Sequence, residues 1–262
     1  MSEKHKIDEL IEIIEQLRGE NGCPWDKVQT HASLREPMLE EAYEVVEAIN
    51  RKDMDNLKEE LGDVLMQVIF HSSLAKEAGG FTLDDVIDGV CQKMIRRHPH
   101  VFGTATVDTA EEVLVNWEAI KKQEHAMVTQ TERIRDIPQA LPALTHAKKV
   151  QKKAADVGFD FADTQGAMEK VLEEYQELKV EMGLENGDIE EEFGDLLFAL
   201  VNLSRFLQIN AEFALTKASK KFINRFEYVE NSALSEGKSL GEMTQPELDL
   251  LWNSAKEKLR QE

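Results

Sequence analysis

The sequence contains few of the features that mark secreted, membrane-spanning or nucleic-acid-binding proteins. It has only two cysteines, Cys23 and Cys91, in 262 residues, so no disulfide framework is expected and a reducing cytoplasm fits best. Apolar runs such as residues 64–70 are far shorter than the roughly 20 residues that a membrane-spanning helix needs. The N-terminal residues alternate charged and apolar side chains, so no secretory signal is expected there.

Positive charge is also scarce. The chain carries 31 Lys and Arg residues against 51 Asp and Glu residues, which gives a formal net charge of −20. A protein this acidic repels a phosphate backbone unless metal ions or local basic groups intervene. We therefore expect no binding to nucleic acid polymers. The 42% of apolar residues and 31% of charged residues indicate a folded globular protein.

Proline is rare, and its positions leave room for long helices. None of the six prolines lies between Pro37 and Pro99 or between Pro142 and Pro246. Apolar residues recur at helical spacing in both stretches, which predicts amphipathic helices. The only strand signal is a weak one at residues 101–102. The sequence thus predicts an all-α fold with about five helices in each half.

The same pattern of residues occurs twice along the chain. Residues 39–45 (LEEAYEV) align with residues 172–178 (LEEYQEL), and residues 59–65 (EELGDVL) align with residues 191–197 (EEFGDLL). Further matches follow in the same order: Lys93 and Arg97 with Lys221 and Arg225, and Trp117 and Lys121 with Trp252 and Lys256. This repetition predicts two copies of one helical module, residues 1–128 and 138–262, joined by a linker at residues 129–137.

Each copy of the module gathers four carboxylates. They are Glu41, Glu44, Glu60 and Asp63 in the first copy, and Glu174, Glu177, Glu192 and Asp195 in the second. Residues three or four apart share a helix face, so two packed helices bring the four acids together. Four converging carboxylates repel one another unless they are protonated or bind a cation. Oxygen ligation by a divalent ion, Mg²⁺ or Mn²⁺, is the simpler hypothesis.

The acids admit two other interpretations, a solvated surface and a di-iron site. Glutamate-rich helices are usually solvated surfaces, but each copy also holds a glycine, Gly62 or Gly194, which costs roughly 1 kcal/mol in a helix relative to alanine. The matched glycines suggest close approach by a neighbouring helix or a ligand. A di-iron site is disfavoured because its Glu-x-x-His signature is lacking. Histidines such as His98 and His100 form no cluster with zinc spacing and suit either a turn or a nearby phosphate.

The repeated basic pairs are suited to a polyphosphate, because metal ions and fixed cations would clamp the phosphate chain together. Trp117 and Trp252 either stack on a nucleobase or pack in the core. The sequence has no P-loop, no GxGxxG motif and no nucleophile elbow. Covalent catalysis by either cysteine lacks an organised histidine partner.

Several ordered motifs together carry a family resemblance. They are GCPWD at residues 22–26, RRHPHVF at residues 96–102, VGFDF at residues 157–161, and the two sets of acidic motifs. With these motifs the chain resembles the MazG family, nucleoside triphosphate pyrophosphohydrolases with tandem all-α domains. The resemblance implies four-helix cores completed by homodimerisation. It also implies Mg²⁺-dependent hydrolysis of nucleoside triphosphates, ATP included and with a broad base range, to monophosphate and pyrophosphate.

The resemblance also implies roles for individual residues. The metal ligands would be Glu174, Glu177, Glu192 and Asp195. The catalytic groups would be Glu173, Glu174, Lys221 and Arg225. The substrate would be contacted by Lys170, Lys221, Arg225, Trp252 and Lys256. Glu173 would support the ligands or orient the water. One departure from the family pattern is Asp188, which stands where a lysine is expected shortly before the ExxD motif.

The second module is implied to do most of the catalysis. The first-module equivalents are Glu41, Glu44, Glu60, Asp63, Lys93, Arg97 and Trp117, and nothing in this ligand set explains a lack of activity. The residues leave open whether water attacks the α or the β phosphorus, how many metal ions bind, and whether a regulatory protein partner exists. The alternative hypothesis is a non-catalytic helical interaction module with an acidic surface, which would show no metal-dependent turnover.

Overall fold

The computed structural model describes residues 4–124 and 129–259. These residues form α-helices and short turns and contain no strand, which confirms the all-α prediction. The strand signal at residues 101–102 is wrong. Pro99 begins a short helix there, because its fixed φ suits the first helical position. In the described part of the chain, no helix is both long enough and apolar enough to cross a membrane.

Contacts divide the chain into two compact units, Met1–His125 and Ala126–Glu262. The helices of the first unit are α1 (Ile7–Arg18), α2 (Pro24–Lys27), α3 (Arg35–Arg51), α4 (Met54–Glu77), α5 (Leu83–Arg97), α6 (Pro99–Phe102) and α7 (Ala110–Glu124). The helices of the second unit are α8 (Gln130–Arg135), α9 (Ala143–Ala155), α10 (Thr164–Glu181), α11 (Ile189–Phe206), α12 (Ala211–Ser235) and α13 (Gln245–Lys258). The proposed linker, residues 129–137, contains α8, which packs against α9.

A helical hairpin is the centre of each unit and carries the duplicated acids. It consists of α3 and α4 in the first unit and of α10 and α11 in the second. Asp53 caps α4, and its Oδ1 accepts a hydrogen bond from the backbone N–H of Asn56 at 3.1 Å. Asp188 caps α11 in the same way, accepting from the N–H of Glu191 at 3.1 Å. Side-chain acceptors at these positions satisfy N–H groups that have no partner within the helix. The ExxD motif therefore lies in the first turns of a well-capped helix in both units.

A third helix packs on each hairpin, and the apolar side chains are only partly covered. Helix α1 contacts α4, where Ile14, Leu34, Ile69 and Phe70 form a buried cluster. Helix α9 contacts α11 in the second unit. Many large apolar side chains of α10 and α11 nevertheless remain exposed, among them Leu172, Tyr175, Phe193, Leu197 and Leu200.

The paired glycines do not lie against a neighbouring helix. A Cβ built on Gly62 or on Gly194 meets no atom within 4 Å among the described residues. Of the two neighbours expected for these glycines, a helix or a ligand, the described residues supply no helix. Both positions face open space, which leaves a ligand or a second protein molecule as the neighbour.

Candidate metal and nucleotide site

Three of the four predicted ligands converge in the second unit. Carboxylate oxygens of Glu174 on α10 and of Glu192 and Asp195 on α11 all lie within 4.8 Å of one another. We call these three residues the second triad. Glu174 is only 5% exposed, whereas Asp195 is exposed. The fourth predicted ligand, Glu177, is exposed, one turn after Glu174 on α10, and is not one of the three.

The acids of this cluster disfavour their own ionisation. Burial, followed by the charges of Glu177, Glu174 and Asp195, raises the pKa of Glu192 above its usual value. Burial and then the charge of Glu174 raise the pKa of Glu177 as well. In both shifts burial is the larger cause, and the negative charges of neighbouring carboxylates add to it. A bound cation would relieve that repulsion, and an all-oxygen donor set suits a hard divalent ion.

Lys170 lies directly against the second triad. Its Nζ is 2.6 Å from Oε1 of Glu174 and 2.7 Å from Oε1 of Glu173. These hydrogen bonds, first to Glu173 and then to Glu174, raise the pKa of Lys170 well above its usual value. The lysine that the resemblance assigns to the phosphates is thus beside the proposed metal ligands, and these carboxylates stabilise its charged form.

The remaining predicted substrate contacts form a separate group on α12 and α13. The guanidinium of Arg225 lies 5.9 Å from the ring centroid of Trp252. Its Nε is buried and has no hydrogen-bond partner among the residues that the structure describes. Trp252 also packs against Phe222, with 5.1 Å between ring centroids. Lys221 is exposed on the same helix as Arg225, and Lys256 donates a hydrogen bond to Oδ1 of Asn253 at 3.2 Å.

The first unit repeats the cluster. Carboxylate oxygens of Glu41, Glu60 and Asp63, here called the first triad, lie within 4.8 Å of one another. Burial, followed by the charges of Asp63, Glu44 and Glu60, raises the pKa of Glu41. Glu60 also accepts a hydrogen bond from Nδ2 of Asn56 at 2.7 Å.

The first unit also repeats the contact between arginine and tryptophan. The guanidinium of Arg97 lies 5.3 Å from the ring centroid of Trp117, and the ring of His98 meets the same tryptophan edge-on at 4.8 Å. Lys93 is exposed. The side chain of Lys121, the predicted partner of Trp117, lies outside the described residues.

Asp188, which replaces the expected lysine, has a structural role. It caps α11, and its backbone N–H donates to Oε2 of Glu181 at 3.0 Å. The residue therefore stabilises the start of the helix that carries Glu192 and Asp195.

Sequence reasoning missed two features. The first is a cavity beside the second triad, lined in part by Gln151 of α9. The only sequence signal for Gln151 is a single glutamine in the lysine-rich run AKKVQKK. The second is a pair of stacked histidines in the first unit, His31 and His71, whose Nδ1 atoms are 2.8 Å apart. Forty residues separate these histidines in the sequence, and no spacing rule predicts their contact.

Comparison with known proteins adds independent findings. The family model described as the MazG nucleotide pyrophosphohydrolase domain matches residues 29–102 and 162–230. The chain is 47% identical over 250 residues to a Thermotoga maritima protein named nucleoside triphosphate pyrophosphohydrolase/pyrophosphatase MazG, and the match covers 95% of both chains. It is 43% identical over 256 residues to the nucleoside triphosphate pyrophosphohydrolase of Escherichia coli K12, covering 96% of this chain and 97% of that one. The crystal structure of a mazG-related protein from Thermotoga maritima matches 44% of this chain and 99% of its own, with 33% identity and a TM-score of 0.39.

Proposed function

The chain belongs to the MazG family, and we propose that it hydrolyses nucleoside triphosphates to nucleoside monophosphates and pyrophosphate at the second triad. The observation that carries this proposal is the convergence of Glu174, Glu192 and Asp195 beside Lys170. Relatives that match nearly the full length of this chain are named for the same reaction.

The second triad fits a divalent cation. Its ligand atoms are all carboxylate oxygens close enough to share one ion. The pKa of Glu192 is raised by burial and then by the charges of neighbouring carboxylates, and an ion would remove that repulsion. Glu174, Glu192 and Asp195 would hold Mg²⁺, with Glu177 completing the set and Mn²⁺ as an alternative ion. When bound, the ion neutralises the phosphate oxygens and makes a bound water more acidic.

The chain's own side chains would position the substrate and the water. Glu173, more than half exposed and in contact with Lys170, can orient the attacking water and accept its proton. Lys170 would exchange one of its carboxylate partners for a phosphate oxygen. Lys221 and Arg225 would bind the leaving pyrophosphate. The Nε of Arg225, buried and without a partner in the described part of the chain, supports this role, since a phosphate oxygen would satisfy it.

Base recognition is expected to be broad and to include ATP. The resemblance assigns Trp252 and Lys256 to the nucleotide. Trp252 is half-buried and contacts Phe222 and Arg225. These contacts support at least an indirect role, in which the tryptophan positions the guanidinium of Arg225 for the phosphates.

Homodimerisation is part of the proposal. The exposed apolar side chains of the α10–α11 hairpin, such as Phe193 at 53% and Leu172 at 56% exposure, need a partner to be covered. Symmetric pairing of two hairpins into a four-helix core would bury them. Light scattering at micromolar concentration should give the mass of a dimer. A strictly monomeric and active protein would contradict this part of the proposal. The cytoplasmic location expected from the sequence stays a prediction.

The reaction is tested by identifying its products. Purified protein, Mg²⁺ and each nucleoside triphosphate are incubated, and pyrophosphate and orthophosphate are measured separately. We expect pyrophosphate and monophosphate in equal amounts, no turnover with chelator, and almost none with Asp195→Asn. Orthophosphate with nucleoside diphosphate as the first products would refute the proposed reaction. Absence of metal-dependent turnover with every triphosphate would instead favour a helical interaction module.

A further inference from the structure

The turns inside the two hairpins differ in length. In the first unit α3 ends at Arg51 and α4 begins at Met54, so two residues join them. In the second unit α10 ends at Glu181 and α11 begins at Ile189, so seven residues join them. A longer loop loses more conformational entropy when its ends are held together. The second hairpin therefore depends more on contacts that fix the start of α11.

The two turns are also closed by different groups. Ala48 and Glu181 occupy matching positions, seven residues after the triad glutamate of their own hairpin. In the first unit, the backbone N–H of the capping residue Asp53 donates to the backbone carbonyl of Ala48 at 3.0 Å. In the second unit, the backbone N–H of the capping residue Asp188 donates to the side-chain Oε2 of Glu181 at 3.0 Å. A backbone contact of the first unit is thus replaced by a carboxylate in the second.

The turn of the second unit lies directly against the end of α10. A Cβ built on Gly187 would meet the backbone carbonyl oxygen of Glu181 at 2.1 Å and its Oε2 at 2.9 Å. Only glycine fits at this position, because a Cβ atom cannot approach other atoms so closely. The next residue, Asp188, then caps α11. We call the group formed by Glu181, Gly187 and Asp188 the turn contact.

The turn contact is close to the predicted metal ligands along both helices. Glu192 follows Asp188 by four residues, a rise of about 6 Å along α11, and Glu174 precedes Glu181 by about 10 Å along α10. A shift of α11 at the turn contact therefore moves Glu192 and Asp195 relative to Glu174. Ligands of a functional site must be held within about 0.5 Å of their productive positions. The turn contact is thus well placed to control the geometry of the second triad.

We propose that Glu181 is a positioning residue of the second triad: its carboxylate accepts the N–H of Asp188 and thereby holds the two ligands of α11 opposite Glu174. The inference rests on the proposed function and adds to it the residue that sets one ligand-bearing helix against the other. Glu181 is not itself one of the three converging acids. Its charge offers a competing explanation, because Glu181, after burial and the charges of three other carboxylates, also raises the pKa of Glu192.

Two substitutions of Glu181 separate the hydrogen bond from the charge. Glu181→Gln removes the charge and keeps an oxygen that can accept the N–H, whereas Glu181→Met removes both. Free Mn²⁺ is measured by electron paramagnetic resonance during titration without nucleotide, with all proteins carrying Asp63→Asn to weaken the first triad. We expect Glu181→Met to raise the Kd for Mn²⁺ by roughly tenfold, the lower end for residues that orient metal ligands, and Glu181→Gln to stay within about twofold.

A control and a second variant come from the same turn. Glu185→Met removes the charge of an exposed glutamate of this turn and should leave the Kd unchanged. Gly187→Ala leaves Glu181 intact but forces the turn away from α10, so it should raise the Kd about as much as Glu181→Met. Both variants break the same contact, so the double variant should also show roughly a tenfold effect, whereas independent effects would multiply to about 100-fold.

Kinetics with Mg²⁺ and ATP give a second readout. In Glu181→Met, the Mg²⁺ concentration for half-maximal rate should rise by the same factor as the Kd, and saturating Mg²⁺ should restore kcat. A purely structural defect would instead lower kcat at every Mg²⁺ concentration. Circular dichroism checks that each variant is folded, and Gly187→Ala carries the test if Glu181→Met is not. If no triphosphate is hydrolysed but the differences in Mn²⁺ binding appear, the proposed reaction is wrong and the role of Glu181 stands.

Three results would overturn the inference. Equal weakening of Mn²⁺ binding by Glu181→Gln and Glu181→Met would show that the charge acts and not the hydrogen bond. An unchanged Kd in Glu181→Met, with hydrolysis by the wild-type protein, would show that the turn contact does not hold the ligands and would leave the proposed reaction intact. Mn²⁺ binding that Asp195→Asn does not weaken would remove the metal site from the second triad, and the role of Glu181 with it.

Discussion

The two units share their carboxylates and differ in what lies beside them. In the second unit, the residue four positions before Glu174 is Lys170, which contacts that glutamate directly. The residue four positions before Glu41 in the first unit is Pro37, which has no charge to offer. The first triad therefore lacks the cation that the second triad has at this position. A ligand set alone does not show which copy of a duplicated module binds the phosphates.

The space next to each triad differs as well. Seven residues after the aspartate of the ExxD motif, the first unit has Phe70 and the second has Asn202. Phe70 is 4% exposed, belongs to the buried cluster between α1 and α4, and lies under the guanidinium of Arg18 at 5.0 Å. Asn202 instead lines the cavity between α9 and α11. At this position the first unit has a packed apolar side chain and the second has a polar side chain that lines a cavity, and this supports a larger catalytic share for the second unit.

Substitution of the triad residues should produce the largest difference between the units. Asp195→Asn or Glu174→Gln should lower kcat/KM by more than about 100-fold, because even residues that only orient metal ligands contribute about 10–100-fold. Asp63→Asn or Glu41→Gln should cost less than about threefold, since the first unit has Pro37 at the position of the lysine and Phe70 at the position of Asn202. The amide keeps the size of the side chain and removes its charge. The second-unit variants should also need more Mg²⁺ for half-maximal rate.

Steady-state kinetics of the four variants, with circular dichroism to confirm folding, measure this contrast. Equal losses in both units would show that the modules are equivalent catalysts or depend on each other. The proposal that the second unit has the larger catalytic share would then be wrong.

Removal of the lysine should produce the next largest effect. Lys170→Met should lower kcat/KM by roughly tenfold or more, because hydrogen bonds to charged groups contribute about 1.5–3 kcal/mol. Lys179→Met is the matched control on the same helix, where the ammonium lies near the ring of Tyr175 and away from the predicted ligands. A loss of equal size in the control would mean that Lys170 acts only through the net charge of the helix.

Much of the fold followed from the sequence, because it depends on local patterns. The absence of proline from residues 38–98 and 143–245 and the helical spacing of apolar residues predicted the helices, and the repetition predicted two modules. Convergence of the acids followed from their spacing of three on adjacent helices. The cavity could not be predicted, since it depends on which side chains of three helices fail to fill a space. Contact between His31 and His71 likewise arises only when the loop before α3 folds onto α4.

Metal binding should stabilise the protein more at high pH than at low pH. The folded-state pKa of both Glu177 and Glu192 is raised, so without metal their contribution to stability is present below the unfolded pKa of about 4.5. This contribution to stability is lost as the pH rises through the folded-state pKa, because the two carboxylates become charged and repel their neighbours. Mg²⁺ at about 100 times its Kd should then raise Tm by about 5–10 °C at pH 8 and by less at pH 5.

Scanning calorimetry at the two pH values, at matched ionic strength, measures this effect. Asp195→Asn should reduce the gain at pH 8. A larger gain at pH 5 than at pH 8 would contradict the interpretation of the cluster as a cation site.

The histidine pair should produce the smallest effect, and only in the first unit. Burial, followed by the charge of His31, lowers the pKa of His71. The contribution of His71 to stability is therefore present above the unfolded pKa of about 6.5 and is lost as the pH falls through the folded value. His71→Leu copies the residue at the matching position of the second unit, Leu203. The variant should lose less stability than the wild type between pH 7.5 and 5.5, by on the order of 1 °C in Tm. An identical pH dependence in both proteins would show that the pair does not titrate in this range.

The location of the bound nucleotide tests the central claim most directly. Crystals grown with Mn²⁺ and α,β-methylene-ATP allow the ion to be located by its anomalous scattering and the nucleotide by its electron density. We expect an anomalous peak within bonding distance of Glu174, Glu192 and Asp195, with the phosphates beside Lys170. A nucleotide bound only at Glu41, Glu60 and Asp63, with the second triad free of both ion and phosphate, would contradict the account.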